Sequence, residues 1–211
     1  MKNKILGLLF LVFLILGSGL ISCDDGFDCG PFNDKIKLTE LSGVISEVVN
    51  FSEEDGIADF SGFDGDQIYY DRFAIRVEQD FESYSWNDKS WNFGLISTAN
   101  ACTPPIPRSE EIIDSVVITT NHDFNLDYPL GSDLSNVFDV IVYDEINDIN
   151  FKKFDLNDFI ATEPNVPFVW YLVLKEAPAS ATNFQFHVQY YQQGIDTDFF
   201  EFTTDSIVIE P

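Results

Sequence analysis

Three features of the sequence predict an all-β chain: an antiparallel β-sandwich of immunoglobulin-like form with at most one or two short helices. The first is alternation. Between Phe73 and Ser83, the residues Phe73, Ile75, Val77 and Phe81 share one face, while Arg76, Glu78, Asp80 and Glu82 share the other. That is the period of a half-buried antiparallel strand. The second is a hairpin pattern near the C-terminal end. Phe184, Phe186, Val188 and Tyr190 alternate with Gln185, His187, Gln189 and Tyr191. Gln192-Gln193-Gly194 turns, and Thr197–Thr203 returns with Phe200 and Phe202 inward. The third is punctuation: turn residues divide the chain into seven to nine short strands with little helix between them, the layout of a sandwich. A closed β-barrel is the alternative.

The remaining elements follow in order. Ile36 and Leu38 open a first strand, Gly43 interrupts it, and Val44–Phe51 resumes it as one bent strand or two. Ser52–Asp66, with six acids and three Gly, reads as a loop. Tyr84–Trp91 reads as a turn and Phe93–Asn100 as a strand. Thr103-Pro-Pro-Ile-Pro removes ladder donors and is excluded from a central strand. Ile112–Thr120 is a β-branched strand, and Asn121–Asp133 is a polar loop. Leu134–Tyr143 combines a cap signal at Asp133 with a strand signal at Val140, Ile141 and Val142. Asp155–Thr162 reads as one or two helical turns stopped by Pro164. Phe168–Leu174 is apolar on both faces and reads as a central strand, Trp170 included. Ile207 and Ile209 form a last strand.

The first 22 residues are set apart from this pattern. Lys2 and Lys4 precede an apolar run from Ile5 to Ile21, the form of a secretory signal. Leu20-Ile21-Ser22-Cys23 resembles the lipobox of bacterial lipoproteins, which makes Cys23 the lipidated first residue of the mature chain. Two or more acyl chains anchor a protein stably, whereas one binds marginally. Residues 23–34 then form a short acidic tether, and 35–211 a single sandwich domain. Asp24 and Asp25 resemble the acidic signal that sends Bacteroidota lipoproteins to the outer face of the outer membrane. The expected location is therefore the cell surface, with a periplasm-facing orientation as the alternative.

Composition narrows the function. The whole chain has a net charge of −25; without Lys2 and Lys4, nine Lys and Arg stand against 36 Asp and Glu, a net charge of −27. Nucleic acid and anionic headgroups both require clustered Lys and Arg, so both are excluded as partners. With Cys23 assigned to lipid, Cys29 and Cys102 remain in an oxidising compartment and are expected to pair; two free thiols are the alternative. Closing that loop stabilises the fold by about 4 kcal/mol in the chain-entropy account.

Several stretches resemble an uncharacterised family of Bacteroidota lipoproteins. They are Cys29-Gly30-Pro31, Leu95–Cys102, Ser115–Phe124, Pro129–Ser132, and Leu172–Pro178 followed by the Phe184–Phe202 hairpin. The resemblance spans most of residues 29–209 and contains no catalytic signature. It supports the topology and the Cys29–Cys102 pair, and it implies no activity.

The chain offers little for catalysis. With two His, no Gly-x-Ser-x-Gly elbow and both remaining Cys assigned, a nucleophilic triad is not expected. The two His are too far apart in sequence for a zinc pattern. Weak calcium binding is a candidate at Asp55, Asp59, Asp64 and Asp66, or at Asn121, Asp123, Asn125 and Asp127. The second group starts like an EF-hand but has Tyr128 at the glycine position and Leu134 at the closing acid. No other cofactor is expected. Tyr84, Trp86 and Trp91 form a candidate aromatic platform for a ligand.

The expected function is that of a non-enzymatic, membrane-anchored surface lipoprotein that binds a glycan or a protein partner. The alternative is a structural or accessory subunit of an envelope complex. If the lipid is the anchor, Cys23→Ser moves the protein from the membrane to the soluble fraction, as read by fractionation and immunoblot. Retention of the variant in membranes would sink the anchor.

Overall fold

The computed structural model describes residues 35–84, 109–144, 150–194 and 198–211, all of which belong to one compact unit. They form the expected all-β sandwich. Its twelve strands are β1 (Lys35–Ser52), β2 (Ile57–Gly62), β3 (Gln67–Tyr69), β4 (Phe73–Tyr84), β5 (Ile112–Thr120), β6 (Phe138–Asp144), β7 (Asn150–Asp155), β8 (Trp170–Leu174), β9 (Thr182–Phe184), β10 (Phe186–Gln193), β11 (Phe199–Thr203) and β12 (Ile207–Glu210). One short helix, α1 (Leu156–Ile160), joins them. The Cys23, Cys29, Cys102, Trp86 and Trp91 assignments lie outside the described residues, as does the expected strand Phe93–Asn100.

Three sheets result. A six-stranded sheet runs β2-β1-β4-β8-β6-β7, and two three-stranded sheets run β11-β10-β5 and β3-β12-β9. This is more elaborate than the four-plus-three strands of a constant-type immunoglobulin domain. Every pairing is antiparallel except β3 with β12.

The main core lies between the six-stranded sheet and the β11-β10-β5 sheet. Phe73, Ile75 and Val77 of β4 meet Phe186, Val188 and Tyr190 of β10 in one buried cluster. Rings span the layers: Phe73 and Phe186 centroids are 5.2 Å apart, and Trp170 and Tyr190 are 6.2 Å apart. The third sheet adds Ile68, Phe184, Ile207 and Ile209 to the same cluster. The alternation in β4 and β10 thus places the faces as the sequence predicts.

The strand β1 is single and continuous. A bulge between Leu38 and Glu40 shifts its register on β4, so that Leu38, Leu41 and Ile45 all reach the core. Gly43 is required by the opposite sheet. A Cβ there would lie 2.1 Å from Cε2 of Phe202, a buried ring of β11.

One expectation is corrected. Ser52–Asp66 is not simply a loop, because β2 occupies Ile57–Gly62 and pairs with β1. A turn at Gly56, with φ +65° and its N–H donating to the Glu53 carbonyl at 3.3 Å, closes the hairpin. Acid density conceals this strand in the sequence, yet Ala58 and Phe60 alternate inward onto a second apolar cluster. That cluster holds Ala74, Ile141, Tyr171 and Val173. The six-stranded sheet curls around it: the Phe60 ring stacks on Tyr171 with centroids 3.5 Å apart, and the Phe151 N–H donates to the Gly56 carbonyl at 2.9 Å. The turn before β2 therefore reaches β7 without a ladder between the two edge strands, and the sheet forms a curled half-barrel.

Two other corrections are small. Gln192 and Gln193 belong to β10 rather than to a turn, and β8 begins at Trp170 rather than Phe168. Leu134–Tyr143 contains both elements its sequence suggests. A 3-10 turn at Ser135–Val137, whose Ser135 N–H donates to Asp133 Oδ1 at 2.9 Å, leads directly into β6. Asp155 caps α1 by accepting from the N–H groups of Asn157 (3.0 Å) and Asp158 (3.2 Å). Lys175 donates to the other oxygen of the same carboxylate. That hydrogen bond is the largest influence holding Asp155 below the usual carboxylate value.

Replacing Gly43 with Val forces a branched side chain into the Phe202 ring. The expected loss is about 1–3 kcal/mol of unfolding free energy, typical of an overpacked core, measured by urea denaturation. An unchanged midpoint would show that the two sheets do not approach as closely as described.

Candidate functional site

A groove of about 340 Å³ opens beside β4 where β8 ends, lined by residues from both faces of β4 between Arg76 and Asp80. Its floor is set by strand register. Arg76 lies opposite Val44, Glu78 opposite Ser42, and Asp80 opposite Glu40. The period of two puts Arg76, Glu78 and Asp80 on one face, and the β1 bulge brings Glu40 and Ser42 into line beside them. Its wall comes from the segment leading into β8. Pro164 and Pro167 lack the N–H needed to extend the ladder, and β8 pairs with β4 only over Ala74–Val77. Phe168 and Val169 therefore flank the groove beyond that pairing. The Phe168 ring packs on Phe81, centroids 5.3 Å apart, and remains half-buried.

The groove has mixed charge. Arg76 Nε lies 3.6 Å from Glu78 Oε1, and both side chains are about half exposed. Such a pair contributes little to stability, about 0–1 kcal/mol, so its groups remain available to a ligand. Below it, Tyr171 pairs in register with Arg76. Burial pushes the Tyr171 hydroxyl above its usual value; nearby Arg76 opposes the shift and Glu78 adds to it. The site thus offers carboxylates, a guanidinium, the Ser42 hydroxyl and an apolar ring in one open trough. This set suits a ligand with many hydroxyls and a flat apolar face.

A second polar group lies inside the main core. Glu111, just before β5, is 1% exposed. Its Oε2 accepts from the Leu38 N–H at 2.7 Å and from Ser109 Oγ at 2.9 Å. It therefore fastens the start of β5 to β1 in the opposite sheet, beside the bulge. Gly194 leaves room for it, since a Cβ there would lie 2.6 Å from Glu111 Cγ. Tyr190 lies within its influence: burial first, and the Glu111 charge second, push the tyrosine hydroxyl well above the usual value.

The two candidate calcium loops are arranged differently from each other. Asp55 caps the β1–β2 hairpin, with Ser52 Oγ donating to Oδ2 at 2.7 Å. Asp59 is an exposed residue of β2, and Asp64 and Asp66 are exposed in the segment after it. In the second loop the side-chain oxygens serve the backbone. Asn125 Oδ1 accepts from the N–H groups of Asp127 (2.9 Å) and Tyr128 (3.0 Å). Asp123 Oδ1 accepts from Leu130 N–H at 2.7 Å, and Asn121 Oδ1 from Gln185 N–H at 2.8 Å. Among the described residues, no group of three or more His, Cys, Asp or Glu is placed to hold a metal ion. Tyr84 ends β4, but its side chain, like Trp86 and Trp91, lies outside the described residues. His187 sits on the outer face of β10, 3.1 Å from Thr203 Oγ1 and 3.6 Å from Glu201. The His122 carbonyl accepts from Thr120 Oγ1 at 2.6 Å.

Sequence reasoning read Arg76, Glu78 and Asp80 as a solvated strand face and passed over Glu111. A signal for Glu111 exists, because an acid directly before Ile112-Ile113 falls in phase with buried Ile113. Compared with family models, curated proteins and solved structures, the chain matches none.

Removing the Glu111 carboxylate with Glu111→Ala leaves the Leu38 N–H and the Ser109 hydroxyl buried without their acceptor. The expected cost is about 2 kcal/mol of unfolding free energy, read by chemical denaturation; a loss below a few tenths would refute the inter-sheet role. The raised Tyr190 value makes a separate prediction. The fold favours its neutral hydroxyl, so this contribution is complete below the usual tyrosine value of 10.0 and is lost as pH rises beyond it. Stability is expected to fall above about pH 10, with a smaller fall in Tyr190→Phe. Equal alkaline slopes for the two proteins would contradict the assignment.

Proposed function

We propose that this protein is a non-enzymatic surface lipoprotein of a bacterial outer membrane that binds a glycan in the groove on β4. The groove is the observation that carries the reading. It combines hydrogen-bonding side chains of both charges with half-buried Phe168 in an open groove of about 340 Å³, a setting that suits sugar hydroxyls. The lipobox-like Leu20–Cys23 segment supports the membrane anchor, and the acidic pair Asp24-Asp25 supports the outward orientation. A net charge of −25 favours neutral or basic saccharides over acidic ones.

A protein partner, including an accessory role in an envelope complex, is the second reading. It is favoured by the loop between β5 and β6, which presents Leu126 at 100% exposure and Leu130 at 62%. The loop is held by the Asn125 and Asp123 side-chain hydrogen bonds, so these apolar groups are displayed on a built support.

Titration with a panel of soluble neutral and acidic oligosaccharides, followed by calorimetry, tests the glycan reading. Binding is expected to weaken at least tenfold, about 1.4 kcal/mol, in Arg76→Ala and in Phe168→Ala. Absence of heat with every saccharide would remove the glycan reading. Binding unaffected by either substitution would move the site away from this groove.

A further inference from the structure

The loop between β5 and β6 contains two consecutive β-turns. In the first, residues 125–128, the Tyr128 N–H donates to the Asn125 carbonyl at 3.3 Å; in the second, residues 129–132, the Ser132 N–H donates to the Pro129 carbonyl at 2.9 Å. Gly131, with φ +82°, supplies the left-handed third position of the second turn. Each turn therefore carries a leucine at its second position, the outer corner: Leu126, fully exposed, and Leu130. Turn geometry does not call for leucine there, since proline suits that corner and polar residues dominate turns. The base of the loop is fixed. Phe124 and Leu134 are buried in the main core and Tyr128 packs against it, while the Phe124 N–H donates to the Tyr128 carbonyl at 2.9 Å. Two leucines are thus displayed on a preformed support, which loses little freedom on binding.

Position and charge select the occupant. Lys35, where the N-terminal segment enters the domain, pairs with Tyr84 at the end of β4. The loop follows Thr120, which pairs with Phe186, and Phe186 packs on Phe73 at the start of β4. The strand has 12 residues, a span of roughly 35 Å at strand rise. The leucines therefore stand at the end of the domain remote from the entry of the segment that carries the proposed anchor. Residues 121–134 include three Asp and no Lys or Arg, a charge that anionic headgroups repel. A second copy of the chain, itself at a net charge of −25, is repelled as well. Leucine offers a sugar neither a ring face nor a hydrogen bond. We propose that this loop is a two-point docking element for a different protein, one whose cleft has two apolar pockets for Leu126 and Leu130 and Lys or Arg at its rim to meet the loop carboxylates. The proposal rests on the protein-partner reading above and gives that partner its chemistry.

The test places a photoreactive benzophenone amino acid at Leu126, at Leu130 or, as a control, at Phe199, which is 39% exposed on β11. Phe199 pairs with Tyr191 and through it with Ser115, five residues before Thr120 on β5. The full chain is irradiated in its native cells, and attachment sites are read by mass spectrometry. Positions 126 and 130 are expected to join one and the same protein, in an apolar cleft flanked by Lys or Arg, and position 199 is not. Asp127→Lys is expected to lower the yield from position 130 several-fold, because it sets like charge against the rim. The proposal is overturned by no protein adduct from either leucine position, by adducts to lipid or to a second copy, by an attachment site without basic side chains, or by an unchanged yield in Asp127→Lys. A protein adduct from position 199 alone also overturns it, while leaving the broader protein-partner reading in place. Fractionation of the same cells reports on the anchor separately.

Discussion

The structure depends on one sheet being buried on both faces, and β8 is where the two burials meet. All five residues from Trp170 to Leu174 are buried. Trp170, Leu172 and Leu174 enter the main core, while Tyr171 and Val173 enter the smaller core inside the curl. A strand with no solvent face needs an unbroken apolar run, and this stretch supplies it. It also needs a ladder partner on each side, and β4 and β6 supply those. At about 25 cal/mol per Å² of apolar surface buried, such a strand outweighs any single ion pair on the exposed faces.

The curl and the groove share a cause. Because β8 is short, it covers only part of β4, and the outer face beyond Val77 is left to polar side chains. Glu78 and Asp80 there cannot enter either core without losing solvation. They line a trough at the limit of the second core, next to Phe168. Burial and exposure thus exchange places along a single strand, set by where its neighbour begins.

The sequence revealed what a period of two can reveal. The central strands β4, β5, β8 and β10 carry clean alternation or an unbroken apolar run, so their faces were legible. Two other strands were not. β2 hides among acids because Ile57 and Asp59 are exposed and only Ala58 and Phe60 face inward. β7 reads Asn-Phe-Lys-Lys-Phe-Asp, a pattern without a dominant period. The sites were less legible than the fold. The groove is assembled by a bulge in β1, by strand register and by a Pro-bounded segment about ninety residues from β4 in sequence. The role of Glu111 depends on Leu38 arriving from the opposite sheet. Such meetings are products of tertiary packing, and no local pattern encodes them.

The parallel pairing of β3 with β12 has a consequence for how the chain acquires its structure. Ile68 pairs with Ile209, and β12 is the central strand of its sheet, also joined to β9. When the chain is delivered from its N-terminal side, β3 emerges long before the strand that completes it. Contacts this distant in sequence are slow to form. That corner of the core, Ile68, Ile207 and Ile209, must stay open until the distal strand arrives. The domain is therefore unable to complete this part of its core before its last strand is available, however early the rest of the sandwich assembles.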